Sequence, residues 1–232
     1  MKTIKVKRTG RFKVKPSHPD YEMIRGHTVE AKEIYNYANY IIRQLYFKNS
    51  GNDKYSLEFI HEYPELEEDF EAYLKENRQF TSTFHRIICN FSRIKEYSLN
   101  SKMVQGIVNI LKRDWKSYWK LLKLKIDGKY DKDVNIPRYK KKYSVIEYNP
   151  QVISRTKLKN GYAGTAGMKE GFKIPKFYKE YNCKSARALW KNNELYMEII
   201  YEMEALETKP NEKVASIDLG GKVLMAVAYN FN

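Results

Sequence analysis

Two kinds of segment in this sequence hold side chains suited to catalysis or to binding an anion. The first is Val214-Ala215-Ser216-Ile217-Asp218-Leu219-Gly220, an apolar run broken by one carboxylate just before glycine. A lone Asp in such a run is costly unless it is used or satisfied. A strand-borne Asp of this kind bridges Mg²⁺ in two-metal nucleases, where the ions activate water and stabilise the leaving oxygen. The same letters also suit a turn round a nucleotide phosphate, or a carboxylate capping a hairpin. The second kind is cationic and aromatic. Ile136-Pro137-Arg138-Tyr139-Lys140-Lys141-Lys142 is followed by a similar run, Phe172-Lys173-Ile174-Pro175-Lys176-Phe177-Tyr178-Lys179. Long cations meet phosphates and flat rings meet bases, so both runs point to nucleic acid; the competing reading is a solvated charged face over a buried ring.

The elements that must position these residues can be read from periodicity. Residues 3–15 alternate, with Ile4, Val6, Phe12 and Val14 opposed to lysines and Arg11, which predicts a strand with a turn at Thr9-Gly10. Ala31, Ile34, Ala38, Ile41 and Leu45 keep one helical face, with Thr28 as the expected N-cap. Short Glu-rich helices are expected over 57–80, and a helix over 81–97. Ser101 opens the clearest helix, whose apolar stripe runs through Val104, Val108, Leu111, Trp115, Tyr118 and Leu122. A second stripe, Lys112, Lys116, Lys120 and Lys123, lies about 115° round the same helix. Beyond Gly128 the pattern predicts strands: Tyr143–Tyr148, a loop or hairpin over 157–172, and a hairpin of Ala186–Trp190 with Glu194–Glu204 round Lys191-Asn192-Asn193. A linker then leads to strands Val214–Leu219 and Lys222–Tyr229.

Charge decides between function classes. The 232 residues carry a net charge of +15 and 20 tyrosines, which disfavours an ordinary small-metabolite enzyme and favours a polyanionic partner. Residues 1–50 carry +7, 51–80 carry −6, 81–150 carry +10 and 151–210 carry +4, while 211–232 are neutral. No apolar run approaches the ~20 residues of a spanning helix, so no membrane partner is expected. The N-terminus lacks the apolar stretch of a secretory signal, and a cytoplasmic location with reduced Cys89 and Cys183 is expected. No CxxC pair is present, and His18, His27, His61 and His85 show no metal spacing, so no zinc site is expected.

Taken in order, these motifs resemble the TnpB (OrfB-type) proteins of insertion sequences, RNA-guided nucleases related to the small type V CRISPR effectors. The resemblance is carried by the helix with Trp115 and Tyr118-Trp119 leading to Asn135-Ile136-Pro137-Arg138-Tyr139-Lys140, similar to the family's x-P-x-[FY]-K stretch. Ile174-Pro175-Lys176 before the hairpin, and Ser216-Ile217-Asp218-Leu219-Gly220, similar to the first RuvC motif G-I-D-x-G, complete it. Ser216 stands where the family has Gly, and Gly221 where it has an apolar residue.

The resemblance implies an α+β fold: a wedge-type β-barrel from residues 1–27 and 127–206, a helical recognition domain inserted over 28–126, and a linker with the first strands of a truncated RNase H-like (RuvC) domain over 207–232. It implies guide RNA and double-stranded target DNA as partners, nucleoid association when bound, and Mg²⁺ as the full-length family's cofactor. Asp218 would be the first RuvC carboxylate. With no later carboxylate in the sequence, it would be a partial ligand at most, insufficient for cleavage unless a second subunit completes the RuvC sheet. The expected binding residues are Lys5, Lys7, Arg8 and Arg11, the stripe Lys112–Lys123, the run Arg138, Tyr139, Lys140, Lys141 and Lys142, and Lys173 and Lys176. The alternatives are a basic structural RNA-binding protein and, more remotely, a fragment of an actin-like ATPase or sugar kinase.

Overall fold

The computed structural model describes residues 3–51, 58–76, 78–165, 167–174, 182–206, 215–218 and 226–229. Strand β1 (Thr3–Lys13) leads to helix α1 (Tyr21–Asn49). Two 3₁₀ turns, Glu58–Glu62 and Pro64–Leu66, precede helices α2 (Glu67–Lys75), α3 (Ser82–Ile94) and α4 (Ser101–Ile126). Then come β2 (Ile146–Tyr148), α5 (Arg155–Lys159), β3 (Tyr162–Ala163), β4 (Phe172–Lys173), β5 (Asn182–Lys191), β6 (Glu194–Leu206), β7 (Ala215–Asp218) and β8 (Ala226–Tyr229). The class is α+β. The principal sheet is antiparallel in the order β1-β6-β5-β2, and β3-β4 and β7-β8 form separate pairs.

The sheet is built on the β5–β6 hairpin. Its two-residue loop, Asn192-Asn193, has φ of 52° and 59°. Two successive left-handed residues form the turn whose twist matches that of the strands, and Asn tolerates that conformation better than most side chains. β6 is 13 residues long, so it templates β1 along its whole length, from Thr3↔Leu206 to Lys13↔Tyr196. That pairing removes the turn expected at Thr9-Gly10: Gly10 continues the ladder opposite Ile199. The predicted 143–148 strand shortens to Ile146–Tyr148, and the 157–172 loop holds α5 and the small β3–β4 pair.

Alternation gives the sheet one apolar and one charged face. Ile146, Tyr148, Ala186, Ala188, Leu195, Met197 and Ile199 are buried on the first. Beside that face lies the helical core, with Ile34, Tyr35, Ala38 and Ile42 of α1, Ile87, Ile88 and Phe91 of α3, and Ile107, Leu111 and Trp115 of α4.

α1 starts at Tyr21, a full two turns before the expected Thr28. Its opening turns bury Ile24 but then the polar His27 and Thr28, so the unbroken apolar stripe starts later than the helix. Thr28 is inside the helix and caps nothing. Its hydroxyl donates to the Arg25 carbonyl at 2.7 Å and accepts from Trp190 Nε1 at 3.0 Å, tying helix to sheet. The expected boundary between residues 27 and 28 therefore falls inside α1. Asp20, just ahead of the helix, is turned to another use. Its carboxylate accepts the backbone N–H groups of Lys169, Glu170 and Gly171, fixing the loop before β4.

His27 gives the fold a measurable acid sensitivity. It is 5% exposed and bonds Tyr148 Oη at 3.1 Å through Nδ1. Burial pushes its pKa down to about 4. The unfolded chain takes up this proton near pH 6.5 and the folded chain does not, so the contribution is full above 6.5 and declines as pH falls towards 4. The difference is worth about 3 kcal/mol. Urea unfolding of the parent at pH 7 and at pH 4 should show that loss, and His27→Gln should show a flatter dependence over the same range. Equal pH slopes for the two proteins would refute it.

Candidate nucleic-acid interface

The cations separate into those already engaged and those open to a ligand. On the charged face of the sheet, Lys5, Lys7, Arg11 and Lys13 alternate along β1 opposite the acidic face of β6. Glu198 is 1% exposed and lies between two guanidiniums: Arg11 Nε donates to Oε1 at 2.7 Å and Arg187 Nε donates to Oε2. Burial opposes ionisation of this carboxyl, but Arg187 and Arg11 outweigh it and hold its pKa below the usual range. Lys5 and Lys184 approach Glu202 at 3.9 and 3.6 Å, and Lys13 pairs with Glu194. In β2, Glu147, whose register partner is Arg187, binds Arg113 of α4 at 2.7 Å. Arg8, opposite Tyr201, falls on the other face. Of the four N-terminal cations, Lys5, Lys7 and Arg11 therefore share one face of the sheet and Arg8 lies on the other.

Glu198→Gln should cost about 1–2 kcal/mol at pH 7, a charge-assisted bond discounted because the two arginine side chains remain 47% and 41% exposed. A depressed carboxyl pKa stabilises above the unfolded value of about 4.3 and loses that stabilisation as pH falls through the folded value. The gap between parent and variant, read by thermal unfolding, should therefore close in acid. A gap that stays constant down to pH 3 would contradict the assignment.

The basic run after α4 is held by α1. Asn39 Nδ2 donates to the Pro137 carbonyl at 3.0 Å, Asn36 Nδ2 to the Lys140 carbonyl at 2.9 Å, and Lys140 N–H returns to Asn36 Oδ1 at 2.7 Å. The two asparagines sit three apart on α1; a polar side chain at the fully buried Asn39 position is the signal in the sequence that marks this anchor. The Lys140 ammonium lies 3.4 Å from Asp114 and 4.3 Å from the centre of the Tyr35 ring, so its charge is committed. Arg138, Tyr139, Lys141 and Lys142 are exposed. The Arg43 guanidinium lies 4.6 Å over the Tyr139 ring, and the Lys142 ammonium 5.3 Å from that of Tyr143. Lys173 is exposed on β4; Lys176 lies outside the described residues.

α4 is capped by Asn100, whose side-chain oxygen accepts the N–H groups of Lys102 and Met103 at 3.1 Å. Its buried face runs from Met103 to Tyr118; Leu122, expected in the core, is only half-buried, and Ile126 is 77% exposed. Lys112, Lys116, Lys120 and Lys123 are all exposed, and among the described residues none of them makes an ion pair. Measured round the helix from Trp115, these lysines lie about 60–140° to one side, and Asp114 about 100° to the other. The lysine stripe and the Lys140 end of the basic run thus occupy opposite flanks of one helix.

Asp218 ends β7, opposite Ala226 of β8. Its side chain, and Gly220-Gly221 after it, lie outside the described residues. Among the described residues no three His, Cys, Asp or Glu side chains are placed to hold a metal ion, and no helix is long and apolar enough to cross a membrane. Cys89 and Cys183 are free thiols. No protein-family model matches the chain, and no curated protein matches it.

Proposed function

We propose that the protein binds nucleic acid through the lysine face of α4, as the N-terminal part of a TnpB-like RNA-guided system with guide RNA and target DNA as its ligands. The observation that carries this is the contrast in charge pairing. Lys5, Arg11, Lys13, Lys184 and Arg187 of the sheet are paired with Glu194, Glu198 and Glu202, whereas Lys112, Lys116, Lys120 and Lys123 line one exposed face without an acidic partner among the described residues. A row of unbalanced ammonium groups on a rigid helix attracts a row of phosphates. Such contacts hold the backbone and read no sequence, which suits a system whose specificity comes from base pairing. In this reading the β1-β6-β5-β2 sheet belongs to the wedge barrel and β7-β8 to the start of the RuvC domain. Mg²⁺ chemistry needs several carboxylates round two ions; Asp218 would supply one, so binding rather than cleavage is proposed for these residues.

The test is titration of the purified chain with RNA across a salt series. Binding with a steep fall of log K against log salt supports the proposal, and salt-independent or absent binding refutes it. Sequencing the RNA that copurifies separates the two RNA-binding readings. One defined species points to a guide, and a random mixture to a general RNA-binding protein.

A further inference from the structure

Trp119 is the exposed member of an otherwise sheltered aromatic cluster. Trp115, one turn earlier, is fully buried, whereas Trp119 keeps 39% of its surface open. Its ring sits 5.3 Å from that of Tyr46 and 5.0 Å from that of Tyr118, both T-shaped, and 6.0 Å from that of Trp115. Packing against three rings, two of them edge-on, holds the side chain before any ligand arrives, so little side-chain freedom is left to lose on binding. Lys116 and Lys123 stand at positions −3 and +4 from it, the spacings of neighbouring side chains on a helix, and Lys120 follows at +1, about 100° round. Asp114 lies on the far flank of the helix, so the open ring is bordered by the unbalanced lysines.

We propose that Trp119 is a stacking platform for an unpaired base, with Lys116, Lys120 and Lys123 holding the flanking phosphates, so that the α4 face takes single-stranded rather than duplex nucleic acid. The proposal rests on the reading of α4 as a nucleic-acid interface and adds the strand state of the ligand. A large apolar ring held open beside cations matches the two surfaces of a single strand, its base faces and its phosphates. In a duplex the base faces are covered by their neighbours, and only the phosphates remain for the lysines.

The test uses a single-stranded RNA of ~16 nucleotides and the same strand annealed to its complement. Trp119→Ala should weaken single-strand binding about 5- to 150-fold, leave duplex binding within about twofold, and leave the salt slope unchanged, because stacking releases no counterions. Trp119→Phe, which keeps an aromatic face, should retain most of the affinity; Trp119→Leu, which keeps apolar volume without that face, should bind as weakly as Trp119→Ala. Single-stranded RNA should also quench the intrinsic fluorescence of the parent, and Trp119→Phe should lose that quenching, since Trp115 is buried and Trp190 is stacked on Tyr143 at 4.0 Å. The Leu and Phe variants and the quenching keep the test valid if the Ala variant folds poorly. Parental affinity in the Leu variant, or equal losses on single strand and duplex, overturns the stacking proposal while leaving the interface intact. A parent that binds neither form overturns the interface itself.

Discussion

Replacing Lys112, Lys116, Lys120 and Lys123 together with alanine is expected to lower RNA affinity about a thousandfold at about 0.1 M salt. Each phosphate contact to a single strand contributes about 0.7 to the slope of log K against log salt, so losing four flattens the plot by about three. Extrapolated from about 1 M, where counterion release contributes nothing, that difference becomes three decades at about 0.1 M. Folding is expected to survive, because all four side chains are exposed and alanine favours the helix. A matched variant should reverse the sign of the comparison. Arg11→Ala removes a cation already paired to Glu198, so it should change stability more than RNA affinity. Unchanged affinity and slope in the quadruple variant would return the stripe to a solvated face and remove the main support for nucleic-acid binding.

Trp115→Ala is expected to cost about 3–5 kcal/mol, the loss typical of truncating a fully buried large aromatic side chain. The ring is wholly excluded from solvent and packs against those of Tyr46 and Tyr118, each at 5.6 Å between centres. Its Nε1–H donates to Asn39 Oδ1 at 3.0 Å, and the other end of that amide holds the Pro137 carbonyl. Truncation therefore opens a cavity between α1 and α4 and leaves a buried acceptor unpaired. It also loosens the anchor of the basic run 138–142. Against a total stability of about 5–15 kcal/mol, such a loss threatens folding at ordinary temperature. Urea titration should show a lower midpoint at unchanged slope. Trp115→Phe, which keeps most of the ring but not the donor, should fall between. A cost below about 1 kcal/mol with poor RNA binding would instead make Trp115 a ligand contact, against its burial.

Features whose physical cause is local follow from the order of residues alone. The stripes of α4 follow from 3.6-residue periodicity, and Lys112, Lys116, Lys120 and Lys123 proved exposed as that period requires. The α3 helix and the β5–β6 hairpin were legible for the same reason: a residue's face or turn preference is set by neighbours a few positions away. What the chain alone could not show is which cations are spent. Arg11 and Glu198 are 187 residues apart, and only the register of β1 on β6 brings them together. Lys140 reads as one more base in a basic run until Asp114 and Tyr35, from two different helices, close on it. The start of α1 carries no continuous apolar stripe because His27 and Thr28 are polar side chains buried by partners in distant strands, Tyr148 and Trp190. Trp115 and Trp119 both belong to the aromatic side of α4 in the sequence. Packing by Tyr46 and Asn39 of α1 shelters the first and leaves the second open. Exposure and net charge at a surface depend on what folds against it, and that is decided by tertiary contacts between elements far apart in the chain.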